Sequence, residues 1–303
     1  MNLPGGARVS APAKVNLFLR VLGRRADGFH ELETLFQAVD LCDDIEVRPT
    51  RESGVGLVLH GPDLGPWQEN LAVRAARGFL ELAALTGNPG VEVALRKGIP
   101  AGAGLGGGSS DAASVLRCMA ALWPDAVGWP RLMDLGAALG SDVPFFMGRT
   151  TLALAGGRGE VLTPLPPLPT GHLVLVLPPV HVGTAEAYAA LARLRAEHPE
   201  VAPQPGSSLS FHRTVTWSAL RGLAANDFES VVPALHPEVE TSLGALRRSG
   251  GDPTLLSGSG GACFGVYPGE AQARSAAEAL STRLGWPARA VRTLDHIPVP
   301  SPL

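Results

Sequence analysis

Lysine is nearly missing from this chain. Of 25 lysine and arginine residues only two, Lys14 and Lys97, are lysine. Together with 37 glycines and 27 prolines, this reads as a GC-rich coding bias. Under such a bias a lysine that persists marks a place where a planar guanidinium does not replace a compact ammonium. Cysteine is scarce too: Cys42, Cys118 and Cys263 are an odd number, lie far apart and match no metal-ligand spacing. That argues against a disulfide framework and fits a reducing cytoplasm. No apolar run approaches the ~18 residues a membrane span requires, and the opening MNLPGGARVSAPAK carries no secretory apolar segment. Positive charge is not in excess, the formal net charge being −3, so the chain is no general polyanion binder. Nucleic acid and membrane are therefore not expected as partners, and no obligate protein partner is evident. A small molecule is, and an anionic one must be gripped by a local device.

What is present is a globular composition. Hydrophobic residues at 45% and charged ones at 17% exclude a disordered chain, and 303 residues suffice for one large domain or two ordinary ones. Val15 to Leu22 reads as a strand, followed by strands over Leu32 to Leu41 and Ile45 to Arg48 with Asp43-Asp44 at a turn. Apolar residues at 71, 75, 79, 82 and 85 predict a helix capped by Asn70. Val91 to Leu95 is a short strand, Ser110 to Leu122 a helix, and Thr150 to Leu162 a hairpin turning at 156–159. The stiff PLPPLPT segment from Pro164 to Thr170 divides the chain into expected lobes 1–163 and 164–303. Beyond it come a strand at His172 to Leu177, helices at 184–195, 217–223, 236–248 and 270–284, and strands near 262–267 and 288–293. Pro199 to Ser210 reads as a flexible loop. The mixture predicts an α+β chain of two lobes.

The most informative stretch is KGIPAGAGLGGGSSD, from Lys97 to Asp111. Glycines let a backbone adopt positive φ and approach a ligand closely, and the following helix start offers unpaired amides to an anion. This is the local device that the net charge calls for. Gly102, Gly104 and Gly107 satisfy G-x-G-x-x-G, but AALWPDAVGWP stands where a dinucleotide fold needs its second strand. No lysine follows the glycines as in a P-loop, and the HRD and DFG signatures of protein kinases are absent. Read singly, the other candidates stay open. Asp142 serves as well for a helix cap as for a base, Lys14 for an edge-strand charge, Phe29 and His30 for surface residues, and Tyr188 for core packing.

The string PAGAGLGGGSSDA resembles the phosphate-binding loop of the GHMP small-molecule kinases. APAKVNLFLRVLGRRADGFHELETLFQAVDL, GSDVPFF, NDFE and LSGSGGACF are similar to further motifs of members that act on a cytidine-diphosphate-linked methylerythritol. The matches run in order from residue 11 to 264. The resemblance implies a two-lobed fold with the site in the cleft between lobes, and a transferase that phosphorylates an alcohol with ATP. It assigns Asp142 as the base that takes the hydroxyl proton and Lys14 as its partner. It gives the phosphates of ATP to Lys97, Pro100, Ala101, Gly102, Ala103, Gly104, Leu105, Gly106, Gly107, Gly108, Ser109 and Ser110, with Gly258 to Gly261 closing from the second lobe. Asn16, Phe29, His30, Thr184 and Tyr188 fall to the alcohol substrate, with Phe29 and Tyr188 as opposite faces around the cytosine. Phe29 departs from the tyrosine usual in those members. Phosphoryl transfer further implies Mg²⁺. A homoserine- or mevalonate-type kinase is the near alternative, and a nucleotide-binding sensor on the same fold the distant one. Lys14 and Asp142 together argue against the sensor, because binding alone requires neither.

Overall fold

Long alternating stretches at the start of the chain pair into a ribbon of two extended strands, β1 (Ala7–Arg24) and β2 (His30–Thr50). The computed structural model describes residues 3–201, 203 and 215–303. Strands β3 (Val55–His60), β4 (Gly90–Arg96), β5 (Leu152–Gly156) and β6 (Val161–Pro164) complete the body of the first sheet. Its order β1-β2-β4-β3 is antiparallel except for the parallel β3–β4 pair, and β5 joins β2 to β6. Helices α1 (Leu71–Ala83), α2 (Gly107–Leu122), α3 (Trp129–Leu139) and α4 (Val143–Met147) cover one face. The expected helix after Asn70 is α1, and the Asn70 side chain accepts from Ala72 N at 2.9 Å. The expected turn at Asp43-Asp44 does not exist. β2 runs straight through, because the buried Asp43 carboxylate accepts from Gly98 N (2.6 Å), Ile99 N (2.8 Å) and Lys97 Nζ. A polar pair signals a turn only when its side chains lack partners elsewhere in the fold.

The second sheet has the order β10-β7-β9-β8, all antiparallel. Its strands are β7 (His172–Val176), β8 (Thr254–Leu256), β9 (Cys263–Tyr267) and β10 (Ala288–Arg292). With them go helices α5 (Thr184–Glu197), α6 (Trp217–Leu223), α7 (Val232–Leu235), α8 (Pro237–Arg248) and α9 (Glu270–Leu284). β7 is buried on both faces, which explains its unbroken apolar run. Leu173 and Leu175 pack toward β1 and β2, while Val174 and Val176 pack toward α5, α8 and α9. Residues 202 and 204–214, most of the loop expected at Pro199 to Ser210, lie outside the described residues; Pro199–Val201 forms one turn of 3₁₀ helix. The last strand, β11 (Ser301–Pro302), returns to the first sheet and pairs with β1. The chain is thus α+β with two sheets.

Where the two sheets meet, β1–β2 pairing slips between Pro12 and Ala13, leaving Asp40 and Leu41 unpaired. Such bulges bend a strand and increase its twist. Asp40 uses the bend to accept from Arg292 N at 2.9 Å, which stitches the second sheet to the first. Beyond the slip, Ala13, Val15 and Leu17 enter the core between the sheets. Lys14 and Asn16 therefore project from the opposite face of β1, toward α2 and α4. Replacing Asn70 by alanine removes the α1 cap and is expected to lower unfolding free energy by about 1 kcal/mol, read from urea denaturation.

Candidate active site

Lys14 is 4% exposed and its ammonium has three polar neighbours. It donates to Asn16 Oδ1 (2.8 Å) and Gly104 O (2.9 Å) and lies 3.5 Å from Asp142 Oδ2. Burial lowers its pKa from the ordinary lysine value, with the Asp142 carboxylate pulling the other way. Asp142 occupies the N-cap position of α4, yet its side chain makes no cap bond. Of the two roles open to it in the sequence, the structure leaves the carboxylate facing Lys14 and a cleft of about 850 Å³. Asn16 lines the same cleft, but its amide is engaged on both sides, with Nδ2 donating to Thr34 Oγ1 at 2.8 Å. Through Oδ1 it orients Lys14.

The glycine loop crosses the floor of this cleft. Gly102, Gly104 and Gly106 all have positive φ. At Gly104 the expected positive φ holds, and a Cβ there would in addition strike the Ser257 carbonyl. Gly260 is equally constrained, since its Cβ would run into Ala103 and Gly104. The two glycine turns thus pack backbone on backbone. Ala262 N donates to Ala103 O (3.0 Å) and Ser257 Oγ to Gly104 O (3.1 Å). Gly106 is the αL N-cap of α2, and a Cβ there would stand 3.1 Å from Lys14 Cγ and the Phe146 ring. With no capping side chain, the first amides of α2 remain available to an anion.

Not every loop residue faces this space. Gly104 and Gly106 line the cleft. Leu105 and Ser110 are buried, Leu105 within the core between the sheets. Lys97, expected to border the phosphates, is buried below the loop with its ammonium bound to Asp43 and Asp111. It serves as an internal tie.

At the far end of the cleft stand Phe29, His30, Thr184 and Tyr188. Phe29 and Tyr188, expected on opposite faces of the cytosine, both line this end. His30 stacks on Tyr188 with ring centroids 4.2 Å apart and planes at 19°. Phe228 supports Tyr188 edge-on at 4.9 Å. Burial, reinforced by Asp142, pushes the Tyr188 phenol up to about 12. Burial lowers the pKa of His30, as do Arg24 and Arg195, so its ring is neutral near pH 7. Phe29 is 50% exposed, and the Arg158 guanidinium lies 4.6 Å from its ring centroid. Ser259 Oγ donates to Thr184 Oγ1 at 3.3 Å, bridging the second glycine turn to α5.

Sequence reasoning missed Arg24 and Arg158, two cations lining the cleft; in an arginine-rich chain neither stands out. It also missed an apolar hollow of about 360 Å³ formed by Leu57, Leu59, Leu64, Trp67 and Asn70. Leu71, next to Asn70, lies 3.5 Å from where a Gly108 Cβ would be, so the hollow adjoins the start of α2. The spacing of these residues matches no motif, because β3 and the 3₁₀ turn at Trp67–Glu69 bring them together. Among the described residues no cluster of three or more His, Cys, Asp or Glu side chains is placed to hold a metal ion, and no helix is long and apolar enough to cross a membrane.

Comparison with known proteins finds two family models, the GHMP kinases N terminal domain over residues 70–149 and the GHMP kinases C terminal domain over residues 211–285. A 4-diphosphocytidyl-2-C-methyl-D-erythritol kinase of Solibacter usitatus is 42% identical over 86% of this chain and 81% of its own length. One from Citrifermentans bemidjiense is 40% identical over 94% of this chain and 98% of its own. A crystal structure of 4-(cytidine 5'-diphospho)-2C-methyl-D-erythritol kinase superposes with a TM-score of 0.78 at 43% identity. It covers 94% of this chain and 98% of that one.

The backbone contact between the glycine turns makes a clear demand. Gly104→Ala forces a Cβ toward a carbonyl at φ +83, and is expected to cost on the order of 1–3 kcal/mol. A lowered melting temperature together with weaker ATP binding by calorimetry is the expected result.

Proposed function

The chain belongs to the GHMP kinases, and from that premise we propose that it transfers the γ-phosphoryl group of ATP to the 2-hydroxyl of 4-diphosphocytidyl-2-C-methyl-D-erythritol, a step of isoprenoid precursor biosynthesis. It is an ATP-dependent phosphotransferase with an alcohol acceptor. The observation that carries the residue-level reading is the Lys14–Asp142 pair, 3.5 Å apart at the point where the glycine loop enters the cleft. The substrate oxygen attacks the γ-phosphorus, the bond to the β-phosphate oxygen breaks and ADP leaves. Asp142 accepts the hydroxyl proton. Orientation of the nucleophile matters more here than base strength. Lys14 offsets negative charge as the transfer proceeds.

The amides at the start of α2 and the loop between Pro100 and Ser109 hold the phosphates, and the hollow around Trp67 and Leu59 takes the purine. Phe29 stacks on the cytosine, His30 contacts the base, and Tyr188 stands behind His30 as its support. Arg24 and Arg158 supply the positive charge that a diphosphate-linked substrate requires. Thr184 contacts the substrate from the second lobe. Residues 1–163 form the lobe that carries the chemistry. Residues 164–303 form the lobe that closes over substrate and phosphates, apart from the strand that returns to β1. Mg²⁺ would be held mainly by the triphosphate oxygens. Such an ion keeps several waters and takes much of its coordination from the phosphates themselves. When bound it neutralises charge on the transferring group.

Asp142→Asn is expected to leave ATP and alcohol affinity nearly intact while kcat falls about 10²-fold or more. Collapse of substrate binding along with turnover would make the carboxylate structural instead. Lys14→Arg retains charge, but a flat fork cannot reach Asn16, Gly104 and Asp142 in the three directions the ammonium does. A turnover loss of at least about tenfold, or 1.4 kcal/mol of barrier, is expected, and wild-type turnover would leave Lys14 with charge alone. Excess EDTA should abolish product formation, followed by phosphorus NMR of the phosphorylated alcohol; activity that persists would remove Mg²⁺ from the scheme.

A further inference from the structure

We propose that Asp43, Lys97 and Asp111 are positioning residues for the nucleotide. They form a buried carboxyl–ammonium–carboxyl chain that ties both ends of the glycine loop to the sheet and so sets the phosphate-binding amides. What the loop binds rests on the kinase reading; how it is held rests on the geometry below.

Asp43, fully buried on β2, uses one carboxylate oxygen to accept from Gly98 N (2.6 Å) and Ile99 N (2.8 Å), where the loop leaves β4. Its other oxygen accepts from Lys97 Nζ. The same ammonium donates to Asp111 Oδ2 at 2.7 Å. Asp111 sits just past the first turn of α2, where the loop ends. Lys97 is itself held to the sheet, its N–H donating to His60 O at 2.9 Å. One cation thus links the strand before the loop to the helix after it. Stability is a poor explanation for such an array. Two carboxyl groups share one ammonium, Asp111 Oδ1 is buried without a partner among the described residues, and burial, with Asp43 beside it, raises the Asp111 carboxyl to about 8 despite Lys97. Buried ion arrays often contribute no more than apolar side chains of the same volume. What they supply is a fixed distance and direction, which an apolar cluster does not enforce. A lysine suits this position because one compact ammonium donates to both carboxyl groups.

The test uses the full chain, with amide hydrogen exchange in the ligand-free protein and calorimetric titration of ATP with Mg²⁺. In Asp43→Asn, the Gly98 and Ile99 amides should exchange about tenfold faster, and the dissociation constant for ATP should rise about tenfold or more. Asp111→Asn leaves the Asp43 bonds in place. It should weaken ATP binding similarly with Gly98 and Ile99 still protected, and with KM for the cytidyl alcohol unchanged. Lys97→Arg should not restore wild-type ATP affinity. If Asp43→Asn fails to fold, the other two variants decide. Folded variants that keep wild-type ATP affinity, even with a lower melting temperature, overturn the proposal and leave the kinase reading standing. A wild-type chain that binds no ATP overturns the kinase reading instead, while the exchange arm still reports on the tie.

Discussion

Two stretches of backbone meet at the centre of this molecule with no side chain between them. Gly104 lies against the Ser257 carbonyl and Gly260 against the backbone of Ala103 and Gly104, so each segment fits only because its own contact residue is glycine. From this contact the rest of the site follows. It brings the Gly104 carbonyl within reach of Lys14, and Lys14 in turn faces Asp142. It also brings the second glycine turn beside Thr184 and α5, whose Tyr188 supports His30. A cleft built from two sheets needs a seam where they touch, and here the seam lies next to the reacting groups.

The chain handles anions without a basic surface. Its net charge is −3, yet the cleft concentrates Lys14, Arg24 and Arg158 around a loop that leads into a helix N-terminus. Backbone dipoles fixed in place act without reorganising when charge moves, which is why an electrostatic site need not be strongly cationic. The two lysines divide the work. Lys14 faces the cleft and Lys97 lies beneath the loop, and each ammonium donates to two oxygen acceptors.

The two ends of the cleft are organised differently. Where the glycine-loop end has fixed backbone, the far end presents rings whose present partners are one another: His30 on Tyr188, and Arg158 over Phe29. A half-exposed Phe29 and a neutral His30 leave one stacking surface and one adaptable polar ring for a ligand. This end of the cleft is held by side-chain contacts, which rearrange at lower cost than the packed glycine turns.

Several features were legible from residues alone because their physical causes are local. The helix after Asn70 has its cap and stripe within one segment, and the hairpin at 152–164 has its glycine turn. The phosphate loop has its glycines ahead of a helix start. Other features depend on partners distant in sequence. Asp43 reads as a turn residue until Gly98 and Ile99 supply it with donors across a gap of more than fifty residues. β3 and α3 carry weak local signals and gain their definition from packing against β4 and α1. The sequence by itself determined which chemistry is present: a glycine loop, a lysine and an aspartate in recognisable strings. Only the tertiary structure decided that Asp142 faces Lys14 rather than capping α4, and that Lys97 lies under the loop rather than in the cleft. It also decided that Tyr188 carries His30. Each of these depends on which way a side chain points once two sheets have packed, and local sequence carries no information about that direction.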